Sequence, residues 1–232
     1  FNVDSKGVVL NNSPSDLSHA TLGNIAKNNN LTNGSASVIL NEVTSNRASS
    51  LNGFIEVAGQ RADVVIANPN GISCSGCSFI NTNKAILTTG KVTFSDTGAI
   101  ASYDVTGGKL SIDKNGMDAS NSYAVLLADA IAINGTVNAT NAIVAAGNFT
   151  FDNGSGAITS AGKAATARQY VYPEYSIDIS NLGGIKANSI TMVGNNLGFG
   201  VRNKGAIVAN SSLSLTSFGS LTNEGSDRKS VV

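Results

Sequence analysis

The sequence predicts an all-β fold: a right-handed parallel β-helix with an N-terminal cap and further β elements outside the helix. Three observations carry this prediction, namely short strand-like runs between turn residues, an internal repeat and a low content of charge. Charged residues make up 13% of the 232 residues, and 15 Lys and Arg balance 15 Asp and Glu. About a quarter is usual in globular proteins. Hydrophobic residues reach 41%, which is enough for a core and is not typical of a disordered chain.

Short apolar runs favour strands over helices along the whole chain. The clearest runs are rich in β-branched residues and lie at residues 37–40, 63–66, 91–94 and 189–193. Asn and Gly are frequent between the runs, and both tolerate the positive φ angles of tight corners.

A repeated segment indicates that the strands form a solenoid. Residues 183–189 (GGIKANS) match residues 205–211 (GAIVANS) at an offset of 22 positions, and residues 135–140 are a weaker copy. A fixed period of about 20 residues is typical of solenoids. Helical solenoids need long amphipathic segments, which this chain lacks, so we predict a parallel β-helix with one coil per repeat.

We expect one domain over residues 1–232. Residues 1–80 should hold the cap, the first coils and a hairpin outside the helix, and residues 81–232 should hold further coils. The segment 164–176 breaks the coil pattern and predicts an excursion from the helix. The chain starts at Phe1 without Met or a signal sequence, so we expect a mature segment, and its last residues suggest a cut within a longer protein.

Charge and residue types argue against several functions. No basic patch for nucleic acid is visible. His19 is the single histidine and no nucleophile–base set accompanies it, so we predict neither an enzyme nor a cofactor site, and we expect His19 to be an exposed loop residue. A β-helix with enzymatic activity is kept as an alternative, ranked below the two functions described at the end of this subsection.

Cys74 and Cys77 are the only cysteines and leave three possibilities open. A structural zinc site needs four ligands, and the chain lacks them, so no metal is expected. A thioredoxin-like pair opens a helix, whereas this pair follows a turn and precedes a strand-like run. The interpretation we favour is a disulfide formed outside the reducing cytosol, which closes a very small loop.

One turn motif resembles the signature of the two-partner-secretion domain, found at the start of filamentous hemagglutinins and of related hemolysins and adhesins. The surrounding segments 38–43, 51–53, 56–61 and 62–68 follow the order of that family, and residues 7–12 are similar to its opening. The close resemblance covers residues 1 to 95. The motif consists of Asn68, Pro69, Asn70, Gly71 and Ile72.

The family has another motif, Asn-Pro-Asn-Leu, which comes first along the chain and departs from its pattern here. It appears as Asn28, Asn29, Asn30 and Leu31, with asparagine in place of proline. This departure weakens the idea that a rigid proline is essential in that turn. The cysteine pair after the second motif, residues 68–72, resembles the hemolysin branch of the family.

The resemblance implies an export function. Such domains are recognised by the periplasmic domains of an outer-membrane transporter, pass through it unfolded and form a β-helix outside the cell. They are secreted or held at the bacterial surface and are transient in the periplasm. The full-length hemolysin would then attack a host cell membrane. The alternatives are an adhesin or a contact-dependent inhibition exoprotein of the same family. For the two motifs, two roles stay open: contact with the partner, or a structural role as turns.

Overall fold

The computed structural model describes residues 1–160, 175–196 and 199–229, and these residues form strands and turns without a helix. Accordingly, they contain no helix that could cross a membrane. The strands are β1 (Val8–Asn12), β2 (Leu17–His19), β3 (Gly23–Ile25), β4 (Val38–Glu42), β5 (Ser49–Leu51), β6 (Phe54–Gly59), β7 (Ala62–Ala67), β8 (Ile72–Cys74), β9 (Cys77–Ile80), β10 (Thr82–Thr88), β11 (Lys91–Phe94), β12 (Ile100–Val105), β13 (Lys109–Ile112), β14 (Met117–Ala128), β15 (Ala130–Ile133), β16 (Thr136–Ala146), β17 (Phe149–Asp152), β18 (Ile158–Ser160), β19 (Tyr175–Ile179), β20 (Gly184–Gly194), β21 (Gly200–Asn203), β22 (Ala206–Ser217), β23 (Leu221–Asn223) and β24 (Ser226–Lys229).

Two large sheets of parallel strands build the β-helix. An 11-stranded sheet contains β1, β4, β6, β7, β9, β10, β14, β16, β20, β22 and β24, and a 7-stranded sheet contains β5, β8, β13, β15, β19, β21 and β23. Successive coils pair in register, as where Ile185 of β20 lies beside Ile207 of β22. The predicted parallel β-helix is therefore confirmed, and the two repeated segments are neighbouring strands.

A second layer of β structure lies outside the helix. The strands β11, β12, β17 and β18 form an antiparallel sheet, and β2 and β3 form a two-stranded hairpin. The predicted β elements outside the helix are therefore confirmed. The strand at residues 91–94 forms as predicted, but it pairs antiparallel in this outer sheet and not in a coil.

The core explains why several strands are apolar on both faces. On β7, Val64 and Ile66 point into the helix, whereas Val65 joins a second cluster with Tyr103 and Phe149 of the outer sheet. A strand that is covered on both sides loses the alternation of a half-exposed strand. The outer sheet thus packs on the helix through this second apolar cluster, which is separate from the core inside the helix.

The predicted excursion at 164–176 is wrong at its end. Residues 164–174 lie outside the described residues. Tyr175 and Ser176 belong to the coil strand β19, because Ser176 is buried there and its hydroxyl donates to the Gly200 carbonyl at 3.2 Å.

Candidate functional site

The turn between β7 and β8 is built around a fully buried asparagine. The side chain of Asn68 is 0% exposed. Its Nδ2 donates to the Arg47 carbonyl and to the Ser49 hydroxyl, both at 2.9 Å, and its Oδ1 accepts the backbone N–H of Asn70 at 3.0 Å. The Asn68 carbonyl also accepts the N–H of Gly71 at 3.1 Å. One side chain therefore closes the turn and ties it to the preceding coil.

The other motif residues divide into exposed and buried ones. Pro69 and Asn70 are exposed, whereas Gly71 and Ile72 are buried. Asn70 donates from Nδ2 to the Ser45 carbonyl at 2.7 Å. Gly71 has a φ of +114°, and a Cβ there would lie 3.0 Å from the Lys109 carbonyl oxygen, so both backbone and space favour glycine.

The first motif repeats this geometry without a proline. Asn28 accepts the N–H of Asn30 on Oδ1 at 3.0 Å, and its carbonyl accepts the N–H of Leu31 at 3.1 Å. Its Nδ2 donates to the Asn11 carbonyl at 2.9 Å. Asn29 is exposed at the position that Pro69 has in the other turn. The asparagine at the first position is thus the common structural element of the two turns.

The two turns occupy different corners of the first coils. The second turn follows β7, whereas the first turn contacts the end of β1, because Asn28 donates its N–H to the Ser13 carbonyl at 2.8 Å. Beside it, the buried Asn12 donates to the carbonyls of Ala36 and Gln60 and accepts the Ala36 N–H, each at 2.8 Å. Sequence reasoning missed Asn12 as a site residue, and its place in the family-like opening was the only signal.

A groove lies beside the second turn. Its volume is about 330 Å³, which is at the small end of the range for ligand pockets. One wall is the loop 42–46, and the opposite wall includes Gly90 and Lys91, with Pro69 and Asn70 between them. Because Asn70 holds the Ser45 carbonyl, the motif fixes the position of the first wall.

Cys74 and Cys77 form a disulfide across the corner between β8 and β9. Both residues are 0% exposed and belong to the core of the helix. Gly76, within the loop that they close, has a φ of +73°. The pair therefore lies inside the stack, beginning two residues after Ile72 of the motif.

The structure corrects the prediction for His19, which is neither in a loop nor exposed. It ends β2, and its side chain is 9% exposed. Nε2 lies 3.0 Å from Oε1 of Glu56, and Nδ1 accepts the N–H groups of Thr21 and Leu22. Because Nδ1 accepts two donors, the geometry requires the proton on Nε2, which donates to Glu56. His19 thus attaches the hairpin to β6.

The segment Arg61-Ala62-Asp63 helps to hold neighbouring coils together. The Arg61 guanidinium donates to the carbonyls of Thr82 and Asn121, in the next two coils. Ala62 is buried in the core. Burial raises the pKa of the Asp63 carboxyl, and Lys84 partly opposes that shift. Among the residues that the structure describes, no three His, Cys, Asp or Glu side chains are grouped to hold a metal ion.

Comparisons with known proteins agree with this architecture. Residues 1–225 match the family model described as the TPS secretion domain. The chain is 41% identical over 224 residues to "tRNA nuclease CdiA" of Yersinia mollaretii and 40% identical over 227 residues to "Toxin CdiA" of Yersinia pestis. These alignments cover 96% and 97% of the chain, but the chain spans only 7% of the length of each relative.

A solved structure supports the fold assignment independently. The crystal structure of a filamentous hemagglutinin secretion domain superposes with a TM-score of 0.83 at 32% identity, covering 99% of this chain and 86% of that one. The resemblance to a secretion domain is therefore confirmed. The resemblance to the hemolysin branch is not supported, because both Yersinia relatives carry the name CdiA.

Proposed function

The chain belongs to the TPS secretion domain family, and from this membership we propose that it is the secretion and folding-nucleation module of a longer exoprotein. The observation that carries the proposal is the match over residues 1–225, together with two turns of the same design in the first coils. The module directs the exoprotein to the periplasmic domains of an outer-membrane transporter. It then starts the β-helix on which later coils stack.

The names of the relatives support one class of exoprotein. Their names favour the alternative of a contact-dependent inhibition exoprotein over that of a hemolysin or adhesin. The nuclease in one name describes a protein of which this chain spans 7%, so we place any catalytic or membrane-directed activity of the exoprotein outside this module. The module itself is non-catalytic. The exoprotein that carries it is secreted or held at the cell surface after a transient periplasmic stage.

The motif residues serve this function through the fold. Asn68 is fully buried and Asn28 is partly buried, and their polar groups are used by the chain itself. A folded module therefore offers a partner little of these two side chains. We assign them to building the turns, and we assign the exposed Pro69 and Asn70 to the surface that faces the transporter.

Secretion of Asn70→Ala tests this proposal. The chain is expressed behind a signal peptide together with its transporter, and extracellular protein is compared with that of the wild type. We expect secretion to be blocked, because the Ser45 carbonyl loses its donor and the exposed part of the motif changes. Asn46→Ala, in the exposed loop that contains Ser45, is the matched control and should be secreted normally. Normal extracellular levels of Asn70→Ala would contradict the proposal.

A further inference from the structure

Six asparagines of the chain are followed directly by glycine. An asparagine in such a pair can lose its side-chain amide to attack by the backbone nitrogen of the glycine, because glycine has no Cβ to hinder the approach. The attack needs a glycine N–H without an acceptor and a backbone with room to turn. The six asparagines are Asn33, Asn52, Asn70, Asn115, Asn134 and Asn153.

Two of the glycine N–H groups are held by tight turns. The Gly71 N–H donates to the Asn68 carbonyl at 3.1 Å, and the Gly116 N–H donates to the Asp113 carbonyl at 2.8 Å. A backbone N–H that donates a hydrogen bond keeps its proton and its direction. These two nitrogens are therefore poor nucleophiles toward the asparagines that precede them.

The pair that begins with Asn153 is held at both residues. The Gly154 N–H donates to the Asp152 carboxylate. The Asn153 side chain accepts the Tyr103 hydroxyl at 3.4 Å and donates to the Ile100 carbonyl at 3.2 Å. The side-chain carbon of Asn153 therefore cannot turn toward the glycine unless these bonds break.

Two further glycines are buried at corners of the coils. A Cβ on Gly53 would overlap the carbonyl oxygen of Asp4, and a Cβ on Gly135 would overlap the carbonyl oxygen of Asp113. The backbone at both positions thus lies directly against a neighbouring corner. The asparagines before them react only if the coil opens locally.

The pair Asn33 and Gly34 is exposed and is not held in this way. It lies in the loop between the first motif and β4. In the part of the chain that the structure describes, the Gly34 N–H has no backbone acceptor. A Cβ on Gly34 would meet no atom within 4 Å, so the space around the glycine is open. Only here, among the described pairs, are both conditions for the attack met in the folded chain.

Both ends of this loop are anchored. The Asn28 carbonyl accepts the Leu31 N–H at 3.1 Å. At the other end, the Asn12 side chain binds the N–H and the carbonyl of Ala36, each at 2.8 Å. The segment 32–35 therefore lies between two fixed points. A chemical change within it stays local and leaves the coils intact.

We propose that Asn33 is a site of spontaneous deamidation in the folded chain. The Gly34 nitrogen gives up its proton to a base from the solvent and forms a bond to Cγ of Asn33. The bond from Cγ to the amide nitrogen breaks, and this nitrogen takes up a proton and leaves as ammonia. Water then opens the resulting five-membered succinimide to aspartate or, at its other carbonyl, to isoaspartate.

The modification adds charge beside the first motif. A neutral amide becomes a carboxylate, so the formal net charge of the chain falls by one from zero. The isoaspartate product also lengthens the backbone of the loop by one carbon. The inference is independent of the proposed export function, because it needs only the folded chain and water.

Peptide mapping by mass spectrometry tests the site on the intact chain. One sample is incubated folded in mildly alkaline buffer, and a second is incubated in the same buffer with urea. In the folded chain, Asn33 should lose its amide at least about tenfold faster than the other five asparagines, which need local opening. In urea the six rates should converge. A folded chain in which Asn33 reacts no faster than the other five would overturn the inference.

Asn33→Gln is the matched variant. It keeps an amide at the exposed position but moves it one CH2 group farther from the Gly34 nitrogen, so the amide should persist and the melting temperature should not change. Asn33→Asp, one of the products, should also melt at the wild-type temperature. The exposed Asn46, which arginine follows, is the control within the wild-type chain. Loss of the amide in Asn33→Gln at the wild-type rate, or loss at Asn46 as fast as at Asn33, would rule out attack by Gly34.

Discussion

Asn68→Ala should reduce the free energy of unfolding far more than any change at its exposed neighbour Asn70. The Asn68 side chain is fully buried, and its hydrogen bonds join it to Arg47, Ser49 and Asn70. Each such bond contributes about 1 kcal/mol net, and a buried group left without a partner costs more. Water can reach part of the turn, so we expect a loss of about 3 kcal/mol.

Asn70→Ala is the reference for this measurement. Asn70 is exposed, and its Nδ2 donates to Ser45 and to Asn68 where water can replace it, so its loss should cost about 1 kcal/mol. Urea unfolding of the purified chains, followed by circular dichroism, measures both values. A loss for Asn68→Ala no larger than that for Asn70→Ala would refute the assignment of Asn68 to a buried structural role.

Three further predictions concern the fold. Replacing Cys74 and Cys77 by Ala should lower the free energy of unfolding by about 2 kcal/mol. This value is at the low end of the usual stabilisation by a disulfide, because the closed loop is short. Urea unfolding with and without reductant measures the loss. Gly71→Ala should lower the melting temperature, because of its φ of +114° and the nearby Lys109 carbonyl, whereas Gly107→Ala, in open space, should not. Burial, and secondarily Asp63, raises the pKa of Tyr103. The unfolded phenol ionises first, at a pH of about 10, so the contribution of Tyr103 to stability should be constant below that pH and fall above it. Urea unfolding at a series of alkaline pH values measures this fall, which should be less steep in Tyr103→Phe.

The sequence predicts the coils well because they are determined by local repetition. The matching segments at 183–189 and 205–211 place the same small and branched residues at the same positions of neighbouring strands. Asn68 is also predictable as a turn residue, since an asparagine side chain can bond the backbone two positions later. These features depend on residues that are close in the sequence or repeated in it.

The outer sheet and the burial of His19 depend on pairings that the sequence does not reveal. Val65 and Tyr103 meet because the outer strands fold back onto the helix, and no local pattern specifies that contact. A hint exists in β7, which is apolar on both faces and so needs a second cover. The burial of His19 has the same origin, because its partner Glu56 is 37 positions away.

The most direct test of the central claim is the export of this 232-residue chain behind a signal peptide, with and without its outer-membrane transporter. The amount of folded chain in the medium is measured, and periplasmic leakage is controlled with a soluble periplasmic enzyme. A secretion module of this family should appear outside the cell only when the transporter is present. Equal export in its absence would contradict the proposed function.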